Sequence, residues 1–373
     1  MKRTISTIIF LLIAQQLAFS QEEKLSFTTY YFSDSGSNSV TTNALNLAKR
    51  LFSKTMFFLD LELDNVYVPP VDGVSGATRP ARQKNEPFEK SRGQIILGVE
   101  QGIDDVTNIA ANFYHSQELD YRSNSVIGSV SREMFEKNTK LMLRGQFTQD
   151  EVGKILENGD IETFDKWTVS GKAAIGQILS PTTVLDLSYD LVIHNGYLSD
   201  PYRQVKIFDA LNAFETVAES HPDTRIRHAI SGKISHFLEP VSASISGNYR
   251  FYFDDWNVSS HTVETQFNKY VFEDLILRLN YRFYTQGAAE FWQERYSDAV
   301  VENGDFRTAD YKLQSFNSNN FGLSLTYLLS GIAESRRDLQ FLENASIEAR
   351  YFRYFNTLDF SANIVQLNLN FGF

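Results

Sequence analysis

The sequence predicts a transmembrane antiparallel β-barrel of about sixteen strands, and three observations carry that prediction. Apolar and polar residues alternate with period 2 in run after run, and many runs reach the ten or so residues that a tilted strand needs to cross a bilayer. The opening segment MKRTISTIIFLLIAQQLAFS has the charged start, short apolar stretch and small-residue exit of an export signal. Beyond it no stretch of about eighteen apolar residues could span a membrane as a helix. Yet the 373-residue chain holds 30 Phe and 18 Tyr. A barrel reads as hydrophilic on average because only every second strand residue meets lipid. The mean hydropathy of −0.28 fits that pattern.

The first twenty residues are expected to be a cleaved signal peptide, leaving 21–373 as the barrel. Strands are expected near 24–33, 39–50, 55–68, 92–102, 107–117, 124–134, 138–149, 166–178, 183–195, 225–236, 240–254, 259–271, 274–286, 312–329, 344–356 and 359–373. In the ninth, VLDLSYDLVIH, Leu185, Leu187, Tyr189, Leu191 and Ile193 alternate with Asp186, Ser188, Asp190, Val192 and His194. The thirteenth, LILRLNYRFYT, sets Leu275, Leu277, Leu279, Tyr281 and Phe283 against Ile276, Arg278, Asn280, Arg282 and Tyr284. The last run, VQLNLNFGF, alternates up to Phe373 and is expected to close the barrel against the first strand. A secreted β-sandwich is the competing fold, but its strands are usually only about five or six residues long.

The connections test the assignment independently. With the first strand starting in the periplasm, the long connections 66–92, 150–165, 195–224 and 287–311 all fall on the outer side. The inner ones, such as FSK, GIDD, LSPT and FLEP, are tight turns, and long outside with short inside is the barrel rule. The exception is SGIAESRRDLQFLEN (330–344), which implies either a small helical flap or a slip of register.

Composition narrows the chemistry. With no Cys there is no disulfide, thiolate or lipoprotein anchor. The formal charge of −11 argues against a nucleic-acid partner. His115-Ser116, Ser235-His236 and Ser260-His261 are adjacent pairs, and strand neighbours point to opposite faces, so none makes a hydrolytic dyad. An enzyme is therefore not expected, and no cofactor is implied. The acidic stretch 150–165 lacks the spacing of a Ca²⁺ loop, so solvated carboxylates are the expected reading and no metal site is assigned.

Four stretches together resemble an uncharacterised outer-membrane β-barrel family of Bacteroidota-type bacteria, a domain of unknown function. They are VDGVSGATRPARQ (Val71–Gln83), GYLSDPYRQV (Gly196–Val205), RFYFDDWNVSSHT (Arg250–Thr262) and YRFYTQGAAEFW (Tyr281–Trp292). The resemblance implies a barrel and an outer-membrane address, and no activity or catalytic residue.

Candidate functional residues follow from the alternation. Asp186, Asp190, Arg250, Arg278 and Arg282 project from strands toward the lumen, because the same charges facing lipid would cost roughly 2–4 kcal/mol for Arg or Lys at midplane. Such charges either brace the wall as cross-strand pairs or line a selective channel, with Arg278 and Arg282 opposite Asp186 and Asp190. GVSGATRP lacks the spacing of a phosphate loop. Loop 66–92, with Arg79 and Arg82, and loop 195–224 are candidate constrictions at the barrel mouth. Asp200 before Pro201 starts a turn, and Tyr202 and Arg203 are candidates for recognition of a ligand, a partner or a lipid phosphate. The terminal Phe373 resembles the signal read by the outer-membrane assembly machinery. The expected function is a porin-like or transporter channel for small polar solutes. The alternative is a non-conducting barrel that scaffolds a periplasmic or cell-surface partner.

Overall fold

The computed structural model describes residues 23–69, 87–156 and 158–373. The signal segment, most of the connection carrying Arg79 and Arg82, and Glu157 lie outside the described residues. Sixteen strands close into one antiparallel barrel: β1 (Lys24–Asp34), β2 (Ser39–Phe52), β3 (Thr55–Val68), β4 (Phe88–Gly102), β5 (Thr107–Gln117), β6 (Tyr121–Met134), β7 (Thr139–Ile155), β8 (Ile161–Ser180), β9 (Thr183–Gly196), β12 (Thr224–Leu238), β13 (Ala243–Asp254), β14 (Ser259–Phe272), β15 (Leu275–Gln286), β17 (Phe316–Leu328), β18 (Ala345–Asn356) and β19 (Ser361–Gly372). Three more strands, β10 (Gln204–Phe208), β11 (Phe214–Ala218) and β16 (Tyr296–Ser297), form a separate small sheet in the order β11-β10-β16.

Every strand expected from the alternation is present in the ring. Closure is made by β1 and β19, paired from Lys24↔Gly372 to Asp34↔Ala362. At the seam the Phe373 amide donates to the Glu23 carbonyl at 3.2 Å, and Lys49 Nζ stands 4.6 Å over the Phe373 ring. The connection after β17 is a helical flap, with an α-helix over Ser330–Ser335 and a 3-10 segment over Arg337–Leu342, so the register does not slip there. A closed ring leaves no unpaired sheet edge, which is what a hydrocarbon solvent requires of any spanning sheet.

Side chains sort by parity. In β7, Leu141, Leu143 and Phe147 are exposed on the outer wall, while Lys140, Met142, Arg144 and Gln146 alternate with them on the lumen side. Outer-wall charges sit near the strand ends. Arg122 pairs with Glu151 there, and Arg353 donates to Asn363 at 3.0 Å and to Ser361 at 3.1 Å.

One expected loop is not a loop. The stretch 150–165 continues β7 and β8 as a paired hairpin, from Asp150↔Lys166 to Ile155↔Ile161. Its polar composition hides an alternation in which Asp150 turns inward to Lys166 at 2.9 Å, while Glu151 turns outward. The reversal itself is held by Asn158, whose amide donates to Asp160 at 2.6 Å.

Gly196 ends β9 with φ of +108°, where a Cβ would lie 2.4 Å from the Asp165 carbonyl oxygen. Its N–H donates to the Asp223 carbonyl at 2.9 Å and so pins the two ends of the following loop together. Gly196→Ala combines left-handed strain with a backbone clash and is expected to cost at least about 1–3 kcal/mol. Limited proteolysis of folded protein reads this as faster cleavage within 197–223. An unchanged cleavage rate would refute the role.

Candidate solute path and outer cap

The long connections lie on the rim away from the chain ends, here the loop rim. The two that follow β9 and β15 fold together into a cap. Leu198, Trp256, Val258, Ala289, Phe291 and Leu313 bury one apolar cluster, with Tyr252 and Trp292 packed against it. A second cluster, Val205, Ile207, Tyr296 and Val300, is the core of the small sheet. Three of the four distinctive sequence stretches therefore meet in one place.

Each stretch has a structural task there. In RFYFDDWNVSSHT, Asp254 Oδ1 accepts from the amides of Trp256 (3.1 Å) and Val258 (2.9 Å), and its Oδ2 takes Arg225. This Asx turn sets Trp256 so that its indole N–H donates to the Thr224 carbonyl at 2.8 Å. In YRFYTQGAAEFW, the Gln286 amide donates to the carbonyls of Lys312 and Gln314, both at 2.7 Å. The Ala289 amide donates to the Leu313 carbonyl at 2.7 Å, which holds both ends of that loop.

GYLSDPYRQV supplies the polar lock. Arg203 lies 3.4 Å from Glu219, 3.2 Å from Asp310 and 3.6 Å from Asp200. Glu219 is fully enclosed and accepts from the Asp200 amide (3.0 Å), the Thr308 hydroxyl (2.8 Å) and the Ala309 amide (3.2 Å), with His221 Nε2 at 3.4 Å. Burial alone would raise the Glu219 carboxyl, but His221 and the Arg203 guanidinium outweigh it and hold the group at about 2. Burial likewise opposes ionisation of Asp310, and Arg203 with Lys312 holds it well below the usual carboxylate range. Tyr202 donates to Asp120 at 2.9 Å and accepts from the Ile155 amide at 2.9 Å, and burial pushes its hydroxyl up. On the other side Tyr311 stacks on Phe360, centroids 6.5 Å apart. A continuous chord thus crosses the loop rim, from the β5–β6 turn through Asp120, Tyr202, Arg203, Asp310 and Tyr311 to Phe360 in the β18–β19 turn.

Asp200, Tyr202 and Arg203, read from sequence as recognition candidates, are therefore half-buried or buried members of this lock. Glu219, His221, Trp256, Thr308 and Asp310 were not singled out by sequence. Trp256 lies within the distinctive stretch RFYFDDWNVSSHT, and for the other four the hint was the length of the two loops that carry them.

Below the cap the lumen wall carries the charges the alternation assigns to it. Lys172 meets Asp190 at 3.4 Å, Arg282 meets Glu264 at 3.0 Å, and Arg278 and Arg350 share Glu348 at 3.2 and 2.6 Å. Arg92 bridges Glu62 (3.3 Å) and Asp64 (2.6 Å). Arg278 and Arg282 do not stand opposite Asp186 and Asp190. Strands β15 and β9 are four apart in the ring of sixteen, a quarter turn. Shear decides such placements and is not written in single residues. Arg250 and Asp186 form no ion pair among the described residues. His115 bonds Asn124 at 2.8 Å and His261 bonds Tyr249 at 2.7 Å on the outer wall, away from the inward-turned Ser116 and Ser260.

Comparison with known proteins agrees with this architecture. A family described as "Protein of unknown function (DUF3570)" matches residues 7–158 and 156–373. No curated protein matches the sequence. Among solved structures, one described as a bacterial polysaccharide outer membrane secretin aligns at a TM-score of 0.51 and 9% identity, over 95% of this chain and 99% of the other. OprD of Pseudomonas aeruginosa aligns at 0.46 and 10% identity, over 94% and 93% of the two chains. The CymD monoaromatic hydrocarbon channel aligns at 0.46 and 9% identity, over 95% and 89%. At this identity the likeness is one of fold, a closed membrane barrel of the outer-membrane type.

Proposed function

The chain belongs to the DUF3570 family of proteins of unknown function, and from the geometry above we propose that it is an outer-membrane channel for small polar solutes whose outer entrance is narrowed by the two-loop cap. The observation that carries this reading is the chord of contacts through Arg203 and Asp310 across the loop rim, standing over a wall lined with charged side chains. A barrel of about sixteen strands is wide enough to hold an aqueous lumen. In such a barrel a tied cap sets which solutes enter. The loop holding Arg79 and Arg82 remains a second candidate constriction. Export by the segment 1–20, and assembly by machinery that reads the last strand at Phe373, complete the proposal.

One observation favours a second reading, a non-conducting barrel that docks a surface protein. In the cap sheet β11 is an edge strand, and beside it Leu211 is 89% exposed and Phe214 is exposed as well. An unpaired edge next to apolar side chains is a template for an added strand. Conductance of the refolded mature protein in a planar bilayer separates the two. Steady single-channel steps support the channel. A barrel with heat-modifiable gel mobility that stays electrically silent refutes it and favours docking.

A further inference from the structure

The lumen charges are segregated across the barrel's width. On β3, Asp60, Glu62 and Asp64 turn inward, and on neighbouring β4 the single Arg92 serves both Glu62 and Asp64. Asp60 accepts from the Asn46 amide at 2.7 Å and forms no ion pair among the described residues. Strand β13 stands eight strands from β3 in either direction round the ring, diametrically across the lumen. It carries Arg250, and β12 beside it carries Arg227 and Lys233. Neither Arg250 nor Lys233 forms an ion pair among the described residues, and the Nε of Arg250 is enclosed without a hydrogen-bond partner. Asp186 on β9 is the cross-strand neighbour of Lys233 and offsets part of that charge. The wall between these two faces carries the pairs Lys172 with Asp190 and Glu264 with Arg282, Arg278 and Arg350 sharing Glu348, and the cations Lys140 and Arg144 on β7.

Resting on the channel reading, we infer that this transverse polarity selects small zwitterionic solutes over uncharged molecules of the same size. Low-dielectric walls concentrate the field between opposite charged faces. A solute with both poles lies across the lumen, its carboxylate toward Arg250 and Lys233 and its ammonium toward Asp60. An uncharged solute gains nothing and displaces water oriented by the same field. Because both signs are represented, simple monovalent ions are poorly discriminated.

The test is uptake of γ-aminobutyrate and of erythritol into proteoliposomes holding the full mature barrel. The zwitterion is expected to enter about threefold faster or more. Asp60→Asn, or the pair Lys233→Gln with Arg250→Gln, should bring the ratio toward one with erythritol uptake unchanged. None of these substitutions breaks an ion pair, and gel mobility checks that each variant folds. Equal uptake of the two solutes by the unmodified protein, or a preference that both variants retain, overturns the inference while leaving the channel in place. Uptake of neither solute by a folded barrel sinks the channel reading, and the inference with it.

Discussion

Arg203→Ala is expected to open the mouth of the barrel. The guanidinium is the cation shared by Glu219, Asp310 and Asp200, and it joins the loop after β9 to the loop after β15. Removing it leaves enclosed carboxylates facing one another, a change that typically costs about 3–5 kcal/mol. The loss falls on the cap, because the barrel's own strands are held by their ladders. Single-channel conductance should rise, and proteolysis within 197–223 and 287–315 should accelerate. Arg203→Lys keeps the charge and loses the fork, so it should fall between the two. The same lock sets an acid limit. Glu219, held at about 2 against an ordinary 4.5, contributes stability that is fully present above about pH 4.5 and is lost as pH falls toward 2. Conductance that is unchanged in Arg203→Ala would mean that the chord does not narrow the path.

The barrel was legible because its physics is local and periodic. Each strand must show lipid one face and the lumen the other, so a period of 2 marks it residue by residue, as in Leu185 to Ile193. The β7–β8 hairpin was misread where that rule relaxes. Above the membrane Glu151 can face outward beside Arg122 without a lipid penalty, and the polar stretch then looks like a loop. The cap was legible only in outline, as the long loop 195–224 and three of the distinctive stretches, and its contacts were not. Its lock joins Arg203, Glu219 and Asp310, and its core joins Leu198, Trp256 and Phe291, and no period relates those positions. Strands as short as β10 and β11 leave too few alternations to register. The partners of the lumen charges were hidden for a different reason. Parity places Arg278 inside, but only the ring order sets it against Glu348 rather than Asp186.

Trp256→Ala separates the cap's apolar cohesion from its ionic lock. The indole packs among Leu198, Val258, Ala289, Phe291 and Leu313, meets Phe291 edge to face at 5.2 Å, and carries the Arg225 guanidinium 4.2 Å over its face. Truncating a buried Trp typically costs about 3–5 kcal/mol through lost burial and the cavity left behind. The cost again falls on the cap, but on different contacts. The Glu290 amide loses the rigid turn whose Trp256 carbonyl it bonds at 3.0 Å, while Arg203, Glu219 and Asp310 keep theirs. Hydrogen exchange should therefore quicken first at 286–292 and 256–258 and later at 200–203. In Arg203→Ala that order should reverse. Conductance should become noisy rather than uniformly larger, since a cap still tied by its ion cluster swings without leaving. If both variants exchange in the same order, the apolar cluster and the ion cluster are one cooperative unit. The cap then opens as a whole or not at all, and the lock and the core are no longer separable contributions to the gate.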